Sequence, residues 1–346
     1  MGVTELGKLI PKEARKELKL EQLSGRVIAL DAYNALYQFL ASIRQPDGTP
    51  LMDSRGRVTS HLNGLFYRTI NLVEAGIRPV YVFDGKPPEL KRREIEARRA
   101  AKEKAREQMA KAAAEGKTEE VAKYAKRVVY ITDSMAEDAK ALLTAMGIPW
   151  VQAPSEGEAQ AAHMAAKGSA WGAGSQDYDS LLFGAPRLVR NLAVSSRRKV
   201  GEEYVEVPPE VIELESALRA LKLKSREQLI DLAILLGTDY NPDGVPGVGP
   251  QRALKIIQEH GSLENALRTV LKAVEWPVDP LEIKRMFLSP PATDNYRVEF
   301  REPDVAEVYR ILVEEHDFSR ERVEKGLERL RKALSRSRTS SLDAFF

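Results

Sequence analysis

The sequence predicts an α/β protein with a mostly parallel central sheet and helices on both faces. Three observations carry that prediction. Short β-branched runs alternate with long helix-period segments over the first 210 or so residues. Several of those runs end in, or just before, a carboxylate. From Leu214 onward the pattern turns almost wholly helical.

The runs come in order. Val27–Leu30 reads as a buried strand ending at Asp31, and Pro79–Phe83 as a second ending at Asp84. Ile148–Val151 is a third, followed by Pro154-Ser155-Glu156. Ala170–Ser175, a Gly-rich and weaker candidate, leads to Asp177. Leu188–Asn191 and Tyr204–Val207 follow, the last expected at a sheet edge. Helical periodicity fills the gaps at Tyr33–Ile43, Thr59–Ala75, Ser134–Met146 and Glu156–Ala166. Further helices are expected over Gln228–Leu236, Arg252–His260, 262–273, 279–287, 303–315 and 319–334. The resulting division is a core in two halves (1–85 and 131–213), an insertion at 86–130, a helical region at 214–334 and a tail at 335–346.

Composition restricts the chemistry. The chain has 346 residues, 53 Lys+Arg against 51 Asp+Glu, four His and no Cys. Disulfides, thiolate zinc sites, iron–sulfur clusters and a cysteine nucleophile are therefore excluded. Any metal must be held mainly by carboxylates, which favours hard cations. The near-zero net charge hides an uneven distribution. Lys86–Arg127 holds 14 Lys/Arg and 8 Asp/Glu, an excess of +6, which leaves −4 for the remainder. No apolar stretch is long enough to span a membrane, and the N-terminus has no apolar signal region, so a soluble intracellular protein is expected.

In open α/β sheets ligands bind beyond the C-terminal ends of the strands. Asp31, Asp84, Glu156, Glu158, Asp177 and Asp179 should therefore converge on one edge, although they lie far apart in sequence. Each has an ordinary structural alternative. Asp31 and Asp84 could be turn residues or helix caps. Ser155 with Glu158 fits a capping box, and Asp177 and Asp179 could open a helix. Asp239-Tyr-Asn241-Pro-Asp243-Gly244 starts like a Ca²⁺ loop but has Pro250 where the closing Glu belongs. Their coincidence at successive strand ends is what favours a shared site. Such a cluster repels itself unless it takes up protons or cations. Carboxylate-held Mg²⁺ pairs suit phosphodiester hydrolysis.

Two other segments lack a core role. Glu89–Ala114 has strong helix formers but no apolar stripe, so it should project as a long solvated helix. Gly244-Val-Pro-Gly247-Val-Gly249-Pro250 lies between two helices, without the Lys-Ser/Thr ending of a nucleotide loop. Its amides and the next helix N-terminus could hold a phosphate; a plain connecting turn is the alternative.

Taken together, several segments resemble the flap endonuclease family of structure-specific 5′ nucleases, most closely its archaeal members. They are Met1-Gly2-Val3, Ile28-Ala-Leu-Asp31-Ala32, Tyr37-Gln38-Phe39-Leu40, Val82-Phe-Asp84-Gly-Lys-Pro-Pro88, Ala153-Pro-Ser-Glu156-Gly-Glu158-Ala-Gln160-Ala161, Ser175-Gln-Asp177-Tyr-Asp179-Ser, Leu236-Gly-Thr-Asp239-Tyr and Gly247-Val-Gly-Pro-Gln-Arg-Ala253. In full, the implied fold has the insertion as a helical arch and the C-terminal part as a helical DNA-binding region with a Gly-rich helix-turn-helix.

The resemblance implies two Mg²⁺ ions, with Mn²⁺ able to substitute. Asp31, Asp84, Glu156 and Glu158 would hold one; Asp177, Asp179 and Asp239 the second; Glu158 and Asp177 would face both. Lys91 and Arg98 match arch-base cations at the scissile phosphate. Tyr37 matches an aromatic that stacks on an unpaired terminal base, and Gly2 would sit against the junction. Gly247 and Gly249 would grip the duplex backbone with a K⁺-type ion. Arg44–Asn63 resembles the part that wedges the junction and meets a short 3′ flap.

Leu342-Asp-Ala-Phe345-Phe346 resembles a box for the sliding clamp (PCNA), with Thr339 where the family usually has Gln. The implied activity is 5′ flap endonuclease with 5′-3′ exonuclease, in DNA replication (Okazaki fragment maturation) and repair. The implied substrate is branched DNA with a 5′ flap, cut by a monomer. The implied location is cytoplasmic and nucleoid-associated if archaeal, nuclear if eukaryotic. The alternatives are a gap- or junction-cutting paralogue and a non-catalytic DNA-binding clamp adaptor. An adaptor has no use for seven carboxylates near phosphate.

Overall fold

In the computed structural model of the protein, residues 3–45, 48–117, 120, 124, 130–193, 197–200 and 203–343 are described. A seven-stranded sheet has the order β1-β9-β6-β5-β2-β3-β4. Its strands are β1 (Arg15–Glu17), β2 (Val27–Asp31), β3 (Arg78–Phe83), β4 (Trp150–Gln152), β5 (Gly172–Gly174), β6 (Arg187–Arg190) and β9 (Glu210–Glu213). β6, β5, β2, β3 and β4 run parallel; at one side β9 pairs antiparallel with β6, and β1 antiparallel with β9. β7 (Arg197–Val200) and β8 (Glu203–Glu206) pair only with each other. The Tyr204–Val207 segment is thus a hairpin arm and not an edge strand of the main sheet.

Helices connect and cover these strands. They are α1 (Thr4–Leu9), α2 (Ala32–Ser42), α3 (Ser60–Glu74), α4 (Arg92–Ala114), α5 (Asp133–Ala145), α6 (Gly157–Ala166) and the short α7 (Asp179–Leu182). The C-terminal half adds α8 (Leu214–Ala220), α9 (Arg226–Leu236), α10 (Pro250–His260), α11 (Leu263–Arg268), α12 (Pro280–Leu288), α13 (Val305–Tyr309) and α14 (Arg320–Asp343). The 303–315 segment is split: a π-helical turn over Arg310–Glu315 follows α13. α14 continues nine residues beyond the expected boundary at 334. Among the described residues no helix is long and apolar enough to cross a membrane.

The alternation of the strands builds two cores. Ala29, Val80, Val82, Val151 and Ala173 point to one face, under α6 and the C-terminal helices. Ile28, Leu30, Tyr81 and Phe83 point to the other, under α2, α3, α5 and α14. Because both faces are covered, these strands read as continuous apolar runs.

The Gly-rich β5 now has a cause. A Cβ on Gly174 would lie 2.4 Å from Leu30, and one on Gly172 3.0 Å from the Arg187 carbonyl. Just before β5, the Trp171 ring takes the guanidinium groups of both Arg26 and Arg187, 5.3 and 4.9 Å from its centre.

Candidate active site

The parallel register puts the acids on one edge. Asp31 ends β2 and Asp84 follows β3, where Asp31 pairs with Val82. β4 leads through Pro154 to Glu156, and Glu158 lies in the first turn of α6. β5, paired to β2, leads to Asp177. Asp239 arrives from the other half of the chain, just after α9. Asp31, Asp84, Glu156, Glu158, Asp177 and Asp239 all line one cavity of about 1060 Å³.

Tyr37 and Lys91 line it as well, and so do Lys102, Lys104, Ala105 and Gln108 of α4. α4 therefore lies over the cavity, and Ala105 and Ala112 are buried, although the sequence shows no apolar stripe to pack the helix. Alanines let a helix approach closely without an apolar stripe, which hides this packing from a hydrophobicity pattern.

Asp179 does not line the cavity. It lies just behind, 3% exposed, and its Oδ1 accepts the Val3 amide at 2.9 Å. Arg98 falls in α4, but its side chain lies outside the described ones, as does that of Leu342 in α14. Gly2, Phe345 and Phe346 lie outside the described residues. Gly247 and Gly249 form the turn before α10; a Cβ on either would meet nothing within 4 Å. Only Gly247 needs glycine for its own backbone, at φ +75°.

Two structural alternatives resolve differently. Asp31 does cap α2, accepting the Asn34 amide at 2.9 Å, while still facing the cavity. The Ser155/Glu158 capping box does not form. Glu156 takes the N-cap position, Ser155 donates to the Lys86 carbonyl, and the Gly157 amide donates instead to Asp84 at 2.6 Å.

The electrostatics are those of crowded like charges. Burial first, then Asp84 and Asp177, push the Asp31 carboxyl well above its ordinary pKa. Burial and then Asp177, Asp179 and Asp31 do the same to Glu158. Burial followed by Asp239 and Asp177 raises Asp179 to about 7. Asp84 opens onto the cavity yet is set deep among protein groups. That burial raises its pKa, with the Gly157 amide as a partial offset.

One cation stands among these acids. Lys91 Nζ bonds Glu156 and lies 3.1 Å from Asp239. Burial opposes the ammonium, but Glu156 and Asp239 outweigh it and raise its pKa.

Three residues unmarked by the sequence reading complete the arrangement. Asn34 donates to Asp177 Oδ2 at 3.2 Å. The Ser175 hydroxyl donates to Glu158 at 2.6 Å and accepts the Asp177 amide at 3.1 Å. The Tyr240 hydroxyl bonds Glu156, and its ring lies 5.8 Å from Lys91 Nζ. The only sequence signals are positional: Asn34 follows Asp31 by three residues, Tyr240 follows Asp239 directly, and Ser175 precedes Asp177 by two.

The donor set is all carboxylate oxygen, which suits a hard divalent ion. Among the described residues no three His, Asp or Glu side chains already enclose a single position, and Lys91 lies between two of them. Like charges so close repel one another, which the raised pKa values of Asp31, Glu158 and Asp179 reflect.

Comparison with known proteins gives a consistent picture. Residues 1–105 match the XPG N-terminal domain and residues 147–239 the XPG I-region. Flap endonuclease 1 of Pyrobaculum calidifontis is 72% identical over 346 residues, the full length of both chains. Flap endonuclease 1 of Aeropyrum pernix is 58% identical over 351 residues, again the whole of each chain. The solved flap endonuclease-1 of Methanococcus jannaschii has a TM-score of 0.76 at 45% identity, covering 97% of this chain and 99% of its own. The catalytic core of Rad2 in complex with DNA substrate gives 0.70 at 25% identity, covering 95% and 100%.

Proposed function

This chain belongs to the flap endonuclease family, and on that premise we propose that its carboxylate cavity is a two-metal phosphodiesterase site for 5′-flapped DNA. Asp31, Asp84, Glu156 and Glu158 would hold one Mg²⁺; Asp177 and Asp239 the second, with Asp179 behind them as its third acid, and with Mn²⁺ able to substitute. The observation that carries this reading is the meeting of acids from four successive strand ends and from the C-terminal half in one cavity. Such ions would polarise the phosphate and lower the pKa of an attacking water.

The protein's own groups do the rest. Lys91, already among the acids, would face the charge that develops on the phosphate. Arg98, two turns further along α4, would add a second. Lys102 and Lys104 line the same cavity and would draw a phosphate strand beneath α4, independently of sequence. Tyr37, half-buried on the cavity wall, offers a face on which any base can stack. Gly2, one residue before the Val3 amide that bonds Asp179, would lie against the junction.

Away from the cavity, the open turn at Gly247 and Gly249 would let duplex backbone approach the N-terminus of α10, with a K⁺-type ion bridging to phosphate. Leu342, Phe345 and Phe346 would engage the sliding clamp. The products would be a 5′ phosphate and a 3′ hydroxyl, by endonuclease and 5′-3′ exonuclease action in replication and repair. Initial cleavage rates on a double flap, a bubble and a four-way junction test the substrate class. The double flap should be cut fastest. A preference for the four-way junction would overturn the flap reading in favour of a junction-cutting paralogue.

A further inference from the structure

Two arginines on β6 make matched contacts at opposite ends of the strand. At the end away from the cavity, Arg187 donates to the Trp171 carbonyl at 3.3 Å, stacks on the Trp171 ring and lies 3.7 Å from Glu213 of β9. At the cavity end, Arg190 donates to the Gln176 carbonyl at 3.2 Å and to the Tyr178 hydroxyl at 2.9 Å. It stacks 4.6 Å from the Tyr178 ring centre and pairs with Glu210 of β9 at 2.8 Å. Glu210 also lies 3.7 Å from Arg15, which donates to the Ile10 carbonyl just after α1 at 3.1 Å.

Gln176 and Tyr178 are the two neighbours of Asp177 in sequence. One guanidinium therefore pins the chain on both sides of that acid. A planar fork of five donors can serve a carbonyl, a hydroxyl and a carboxylate at once, which a lysine ammonium on a flexible stem cannot do in the same directions. Arg190 does not line the cavity.

We propose that Arg190 is a positioning residue: by fixing Gln176 and Tyr178 it sets the direction of the Asp177 carboxylate, and through it the affinity of the site for divalent cations. The proposal rests on the reading of Asp177 as a metal ligand. Arg190 lies outside the cavity lining and acts through the turn. Arg187, with the same kinds of partner at the far end of the same strand, supplies an internal control.

The test measures Mn²⁺ binding to the full chain without DNA, by the loss of the free-ion electron spin resonance signal, beside thermal midpoints. The variants are Arg190→Met, Arg190→Lys, Arg187→Met and Asp177→Asn. Loss of an outer partner of a metal ligand typically costs 10–100-fold, so Arg190→Met should weaken Mn²⁺ binding about 10-fold or more. Arg190→Lys should fall between it and the parent. Arg187→Met should lower the thermal midpoint yet leave Mn²⁺ affinity within about two-fold of the parent. Affinity in Arg190→Met within that same margin overturns the proposal. So does an Arg187→Met loss as large as that of Arg190→Met, since general loosening would then suffice. Should Asp177→Asn bind Mn²⁺ like the parent, the ligand assignment itself fails. Should Asp177→Asn lose affinity while Arg190→Met keeps it, only the positioning role fails.

Discussion

The ammonium of Lys91 lies 3.1 Å from Asp239, joining the base of α4 to the C-terminal half of the chain across the cavity. The same ammonium bonds Glu156, which also holds the Tyr240 hydroxyl. Removing it leaves two carboxylates facing one another with no charge between them. Lys91→Ala should therefore destabilise the metal-free protein by about 1–3 kcal/mol, read as a fall of a few degrees in thermal midpoint. Mg²⁺ should restore more of that loss than it adds to the parent. Flap cleavage should fall about 100-fold or more. A thermal midpoint and Mg²⁺ response equal to the parent's would remove Lys91 from the centre of the site.

The acid cluster makes its own pH signature. Asp179, raised to about 7, binds its proton more tightly in the folded than in the unfolded chain. Stability from this group is present below about pH 4 and is lost as pH rises through about 7. Asp31 and Glu158 act in the same direction. Divalent ions should cancel the repulsion where the acids are charged. Adding Mg²⁺ should raise the thermal midpoint more at pH 8 than at pH 5.5. Equal shifts at both pH values would speak against ions bound by this cluster.

A buried histidine gives the opposite slope. His61 is 1% exposed, neither ring nitrogen has a hydrogen-bond partner among the described residues, and burial together with nearby His316 lowers its pKa to about 4. The unfolded chain binds that proton more readily, so stability is lost as pH falls from about 6.5 to about 4. The full effect is roughly 3 kcal/mol. His61→Leu should flatten this acid limb in a series of urea unfolding midpoints. A limb as steep as the parent's would place its origin elsewhere. Asp53 is the first alternative: against its burial, bonds from Arg57 hold its carboxyl below the ordinary pKa.

Much of this arrangement is legible in the sequence. Apolar runs ending in acids are enough to place Asp31, Asp84, Glu156, Glu158 and Asp177 together, because parallel strands share one C-terminal edge. Other parts are not legible, for identifiable reasons. β1 and β9 are three- and four-residue segments rich in charge, and only the pairing of β9 with β6, and of β1 with β9, makes them strands. The Ser155 capping box loses to Asp84, whose carboxylate reaches the Gly157 amide from 73 residues away. Asn34 meets Asp177 across 143 residues and Tyr240 meets Glu156 across 84, so no spacing rule announces them. Asp179 is the instructive case: its motif position suggests a cavity ligand, and its carboxylate is already held by the Val3 amide.

The C-terminal residues have a separate consequence. The buried side of α14 is built from Val323, Leu327, Leu330, Ala333 and Leu334, all upstream of the proposed clamp-binding residues. A chain ending at Arg338 should keep its thermal midpoint and its unaided flap cleavage. It should lose stimulation by the sliding clamp. Stimulation retained by the shortened chain would assign clamp contact to another surface.

The central claim is that the cavity acids hold the ions that drive cleavage. Its most direct test is the initial rate on a labelled double-flap substrate, with and without Mg²⁺, for the parent and Asp177→Asn, beside flap affinity measured in Ca²⁺. The account predicts cleavage only with Mg²⁺, a loss of about 1,000-fold or more in Asp177→Asn, and flap affinity within a few-fold of the parent. Cleavage by Asp177→Asn at the parent's rate, or by the parent without any divalent ion, would contradict it.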